Sequence, residues 1–96
     1  MKNGEKCSMK KIFEEKGFKD YVYWQMNDRK TLKKINELLK DIERNGVNGT
    51  GQAEPLKYGL SGYWSRRIDK ENRLIYTINK DGHLCIAACK GHYDDR

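Results

Sequence analysis

One stretch carries apolar residues at clear helical spacing. Leu32, Ile35, Leu38, Leu39 and Ile42 fall on a single helix face. Lys30, Lys33, Lys34, Glu37, Lys40 and Glu43 fill the other positions, so one side is made for burial and the other for water. Asn45-Gly46 ends the run, and Gly46 suits the left-handed residue that follows a last helical turn. Upstream, Phe18, Tyr21, Val22 and Gln25 recur at spacings of three and four, which predicts a first helix from Glu14 to Asn27. Gly17 weakens that helix. Asn27-Asp28 supplies a turn and an N-cap for the second helix, and so short a join makes the two pack as a hairpin. Tyr21, Tyr23 and Trp24 are expected as core residues of the first helix rather than as stacking platforms.

The pattern changes after residue 60. Tyr63 to Ile68, Arg73 to Ile78 and His83 to Cys89 read as strands, separated by turn-prone segments at 69–72 and 79–82. Asp81-Gly82 is a strong hairpin signal, so the three form an antiparallel meander. A further short strand is expected near Met9 to Phe13. The order of strand, helix pair and strands predicts an α+β domain, a two-helix hairpin packed on a small, mainly antiparallel twisted sheet. Between the helices and the meander lies one long loop, Gly46 to Pro55, with glycines at 46, 49 and 51. No Gly-Lys-Ser/Thr and no helix follow it, which argues against a nucleotide-phosphate cradle. A loop this long in a small domain is more often functional than filler.

The chain has 96 residues, enough for one domain. Residues 1–8 lack periodicity and read as an extension or tag; residues 9–96 make the domain. Lys and Arg number 20 against 14 Asp and Glu, a net charge of +6, which fits a polyanionic partner. No apolar run approaches the roughly 18 residues of a membrane span. The first residues show no secretory pattern, and three cysteines are an odd count, so a reducing cytoplasm is expected. Cys85, Cys89 and His92 have a zinc-like spacing. Along a strand, however, four residues cover about 13 Å, too far for two sulfurs that must each lie about 2.3 Å from one ion. The two thiols are expected instead as small core residues on one face of the last strand.

Six blocks in register resemble one family. They are Tyr21-x-Tyr23-Trp24-Gln25, Lys33 to Leu38, Glu54-Pro55-Leu56-Lys57, Leu60 to Ile68 with Trp64-Ser65-Arg66-Arg67, Asn72-Arg73-Leu74-Ile75-Tyr76, and His92-Tyr93. Together they resemble the YoeB (Txe) toxins of bacterial type II toxin–antitoxin systems, in the RelE-like superfamily, over about residues 9–93. The resemblance implies a microbial-RNase-like fold and a metal-independent endoribonuclease that cleaves messenger RNA on the ribosome and so inhibits translation. It implies no cofactor, a YefM-type antitoxin as partner, and a homodimer as one possible state. By the same resemblance Glu54 is the general base, His92 the general acid, and Arg73 lies at the scissile phosphate. Lys57, Arg67 and Tyr93 match positions that bind or support phosphate. The chain departs from the pattern at Ala53, where proline is frequent, and in Asp94-Asp95-Arg96 after the usual end.

The residues support this chemistry independently. Metal-free RNA cleavage uses the substrate's 2′-OH as nucleophile, so it needs a base for that proton and an acid for the leaving 5′-oxygen. It also needs cations where charge builds on the phosphate. Glu54 beside Pro55, His92 after the last strand, and the arginines of one hairpin supply each class. Arg66 and Arg67 point to opposite faces of a strand, so only one of them can join Arg73. Lysines of the second helix would add salt-dependent contacts to ribosomal RNA. An acidic antitoxin segment would inhibit by folding over the basic site. The competing readings are a non-catalytic RNA- or partner-binding module of the same fold, and a structural protein whose charge is incidental.

Overall fold

The computed structural model describes residues 9–46 and 53–92. The expectations for residues 1–8, for most of the glycine-rich loop, and for Tyr93 and the three residues after it lie outside the described residues. The elements run β1 (Lys11–Phe13), α1 (Glu15–Asn27), α2 (Arg29–Asn45), β2 (Glu54–Pro55), a 3-10 turn (Tyr58–Leu60), β3 (Trp64–Arg67), β4 (Arg73–Ile78) and β5 (Leu84–Ala88). The sheet order is β1-β5-β4-β3-β2. β1 runs parallel to β5 and every other pairing is antiparallel. Both helices lie on one face. No helix among the described residues is long and apolar enough to cross a membrane.

α2 forms as its pattern requires. Ile35, Leu38, Leu39 and Ile42 are buried. Asp28 caps it, accepting from the Thr31 backbone N–H at 3.1 Å and the Thr31 hydroxyl at 2.9 Å. The Thr31 backbone N–H, then its hydroxyl, hold the Asp28 carboxyl below its ordinary range. Gly46 closes the helix with a φ of 67° and donates to the Ile42 carbonyl at 2.7 Å.

α1 differs from its expected face. Its buried residues are Gly17, Asp20 and Trp24, whereas Phe18 is 56% exposed and Tyr23 is exposed rather than core. The cause is contact with the β5 backbone. A Cβ at Gly17 would sit 2.3 Å from the Ile86 carbonyl oxygen, so only glycine lets the helix lie this close. Next along that face, Asp20 accepts from the Cys89 N–H and the Trp24 indole donates to the Cys89 carbonyl, both at 2.9 Å. A face made of a glycine and an aspartate is invisible to a hydrophobic count. Gly17→Ala is expected to cost about 1–3 kcal/mol in urea unfolding, because backbone rather than a flexible side chain must give way.

The main core lies between helices and sheet and includes Ile35, Leu38, Leu74, Tyr76, Leu84 and Ile86. A smaller cluster of Leu56, Ile75 and Ala88 lies apart from it, with Leu60 and Tyr63 against it. The alternation along β4 separates the two, Leu74 and Tyr76 to one side and Ile75 to the other. β5 carries an irregularity: Tyr76 pairs with Ile86 while Ile75 pairs with Ala88, so one step in β4 spans two in β5. The bulge corrects the expectation for the two cysteines. Cys85, opposite Thr77, is on the face away from the helices, and Cys89 returns to the main core. Burial, followed by the charge of Asp20, pushes the Cys89 thiol up to about 12 and keeps it protonated and unreactive.

β2 is also a correction. The end of the long loop, carrying Glu54, is not free coil but a two-residue strand that pairs Glu54 with Ser65 and Pro55 with Trp64. Pro55 is tolerated because β2 is an edge strand.

Candidate active site

The register assembles the candidate residues on the open face. Glu54 pairs with Ser65, Ser65 with Ile75, and Ile75 with Ala88; Arg67 pairs with Arg73. Side chains two apart on a strand share a face, so Glu54, Arg67 and Arg73 all lie on the side away from the helices. Leu56, Ile75 and Ala88 form the apolar floor there. Arg66 is turned the other way and is fully buried. Its guanidinium pairs with the Asp41 carboxylate, donates to the Gly46 carbonyl at 2.6 Å, and reaches the Tyr76 hydroxyl at 3.2 Å. Thus Arg67, which is exposed, is the arginine that shares a face with Arg73. Two like charges directly opposite on neighbouring strands repel. An anion between them relieves that repulsion.

Arg73 is the best-fixed of these groups. Its Nη1 donates to the carbonyls of Asp69 at 2.6 Å and Asn72 at 3.0 Å. Its Nη2 lies 3.1 Å from Nε2 of His92. Guanidinium nitrogens only donate, so in this arrangement Nε2 accepts and the ring proton is assigned to Nδ1. The segment that carries His92 is fastened residue by residue. Asp20 and Trp24 hold Cys89, and Lys16 Nζ donates to the Lys90 carbonyl at 3.1 Å. Gly91, at φ 108°, accepts from the Arg73 N–H and donates to the Asn72 side chain, both at 2.9 Å. His92 itself is exposed.

The other candidates are less gathered. Glu54 is exposed on β2, two strands from Arg73. Lys57 is exposed beyond the end of β2, where it precedes the 3-10 turn. Tyr93 lies outside the described residues. On the same face the Tyr63 hydroxyl donates to the Glu14 carboxylate at 2.9 Å, and that hydrogen bond raises the Tyr63 pKa, with burial adding to it. The turn at Asp69 to Asn72, which grips both Arg73 and Gly91, was not singled out from sequence beyond its turn propensity. Its signal was present as an Asp followed three residues later by Asn, a pattern that favours side-chain-to-backbone bonds.

The site is thus a basic hairpin, with Arg73 on His92, facing away from the helix pair. A family model described as a YoeB-like toxin of bacterial type II toxin-antitoxin systems matches residues 13–93. The chain belongs to the YoeB toxin family. Toxin YoeB of Escherichia coli strain K12 is 53% identical over 85 residues, covering 88% of this chain and 100% of that protein. Two solved Staphylococcus aureus structures, a YoeB dimer and a YoeB-YefM complex, are 52% and 51% identical. Their TM-scores are 0.83 and 0.82, and each match covers 91% of this chain and 100% of the other. The α+β architecture expected from sequence is therefore the YoeB form of the RelE-like fold. The protein is the toxin of a type II toxin–antitoxin system.

Proposed function

We propose that this YoeB toxin is a metal-independent endoribonuclease that cuts messenger RNA in the ribosomal A site. The contact between the Arg73 guanidinium and the His92 imidazole, with Arg67 across the strand pair, carries the reading. It joins a proton-transfer group to cations suited to a phosphate. Glu54 takes the proton of the substrate 2′-OH. The 2′-oxygen bonds to phosphorus as the bond from phosphorus to the 5′-oxygen breaks. His92, in its protonated form, gives a proton to that departing oxygen, which leaves a 2′,3′-cyclic phosphate and a 5′-hydroxyl. Arg73 and Arg67 stabilise the charge that builds on the equatorial oxygens. When the phosphate takes up the Arg73 guanidinium, Nε2 of His92 is released to carry the transferred proton. Lys57 and Tyr93 bind or support the phosphate.

The partner that restrains this activity is an antitoxin of the YefM type, as in the S. aureus complex. Lysines on the wet side of α2, including the exposed Lys33 and Lys40, provide ribosomal RNA contacts whose strength falls with salt. The nucleophile gives a direct test. A message with a single 2′-deoxynucleotide 5′ of the cut position should bind the toxin–ribosome complex and stay intact. Cleavage of that deoxy message at the same bond would exclude the 2′-OH mechanism.

A further inference from the structure

We infer that Asn72 is a positioning residue, fixing His92 and Arg73 relative to each other through a clamp between the β3–β4 turn and Gly91. The inference rests on the proposed cleavage, which places both groups at the phosphate.

The side chain of Asn72 works in two directions. Its Nδ2 lies 3.1 Å from both oxygens of the Asp69 carboxylate, and its Oδ1 accepts from the Gly91 N–H at 2.9 Å. Asp69 in turn accepts from the backbone N–H groups of Glu71 and Asn72, each at 2.8 Å. The planar amide is therefore held at both ends, and its orientation is fixed by its partners. The turn's backbone completes the arrangement. The Asn72 carbonyl accepts from the Ile68 N–H at 3.0 Å, and the Asp69 and Asn72 carbonyls both accept from Arg73 Nη1. One four-residue turn thus aims the arginine and tethers the residue immediately before His92.

Two bonds hold Gly91 to the β4 end. The Arg73 N–H to Gly91 carbonyl bond belongs to the backbone and survives any side-chain change at position 72. The Asn72 amide supplies the second point. With one bond the segment can pivot; with two it cannot. Gly91 has a φ of 108°, in a region that glycine enters without strain, so its own backbone offers little resistance to pivoting. A misplacement of about 1 Å at a reacting group can cost about 100-fold in rate. Neither Asp69 nor Asn72 needs to touch RNA for this effect.

The test compares wild type, Asn72→Ala and Asn72→Asp in single-turnover cleavage on message-loaded ribosomes. Affinity for ribosomes carrying the 2′-deoxy message and the His92 Cε1–H proton resonance are read alongside. Asn72→Ala should lower the cleavage rate constant by about 100-fold with affinity unchanged, and should shift the His92 resonance. Asn72→Asp keeps an acceptor for Gly91 but turns a carboxylate oxygen toward the Asp69 carboxylate, so it should not restore the clamp and should stay well below the wild-type rate. An Asn72→Ala protein that cuts at the wild-type rate overturns the inference. So does one that loses affinity and melting temperature in step with rate, since that is a folding defect. If wild type itself leaves the message whole, the ribonuclease reading fails. The resonance then still decides the clamp: an unmoved His92 signal in Asn72→Ala refutes it.

Discussion

Arg66→Ala is expected to lower the unfolding free energy by about 3–5 kcal/mol in urea titration, the usual cost of removing one partner from a buried ion pair. The guanidinium has no solvent exposure, and it supports three acceptors on two elements and a helix end: the Asp41 carboxylate of α2, the Gly46 carbonyl after α2, and the Tyr76 hydroxyl of β4. Burial disfavours its charge, but the bonds to Asp41 and Tyr76 outweigh that and raise its pKa, so it stays ionised. Alanine would leave the Asp41 carboxylate, only 15% exposed, facing a cavity without that cation. The double change Arg66→Met with Asp41→Leu should recover part of the loss, because apolar groups of similar volume often replace a buried pair at little cost, while the Gly46 carbonyl and the Tyr76 hydroxyl still lose their Arg66 donor. A double-mutant cycle checks this: the two single changes should each destabilise by more than the pair does together. A single Arg66→Ala change that costs less than about 1 kcal/mol would mean that the pair does not join α2 to the sheet.

The second large effect is on activity. His92→Gln is expected to lower cleavage by about 10²–10⁴-fold, the contribution of a positioned proton donor. Arg73→Ala should cost about 10²–10³-fold or more, since it removes a cation aimed at developing charge and the group that contacts His92. His92 is exposed, so His92→Gln should melt at the wild-type temperature. Arg73→Ala keeps its backbone N–H and therefore its bond to Gly91. Induced expression of either variant should no longer arrest growth. Retained arrest by both, at equal protein levels, would place the active site elsewhere.

Legibility in the sequence followed the physics of each element. α2 was readable because its buried face is wholly aliphatic and its cap, Asp28, has a side-chain signature. β4 matched its expected bounds because its strand-forming residues end at turn signals on both sides. The face of α1 was not readable. What meets β5 there is Gly17 for proximity and Asp20 for a hydrogen bond, and neither contributes to hydrophobic periodicity. The bulge in β5 left no mark in composition, and it alone moved Cys85 and Cys89 to opposite sides. At the candidate site the sequence reduced Arg66 and Arg67 to a choice, which the frame of β3 resolves: Arg66 lies opposite Leu74 in the core, and Arg67 lies opposite Arg73. The Asn72 clamp depends on contact between positions 19 apart, which only the fold brings together.

The proposed cleavage requires His92 and Arg73 to act together at one phosphate. The most direct measurement adds purified toxin to ribosomes paused on an end-labelled message and maps the new 3′ ends, with free message and the His92→Gln protein alongside. A single cut within the ribosomal A site is expected, ending in a 2′,3′-cyclic or 3′-phosphate and missing with His92→Gln. An intact message on ribosomes that still bind the toxin, or an equal cut by His92→Gln, would contradict it.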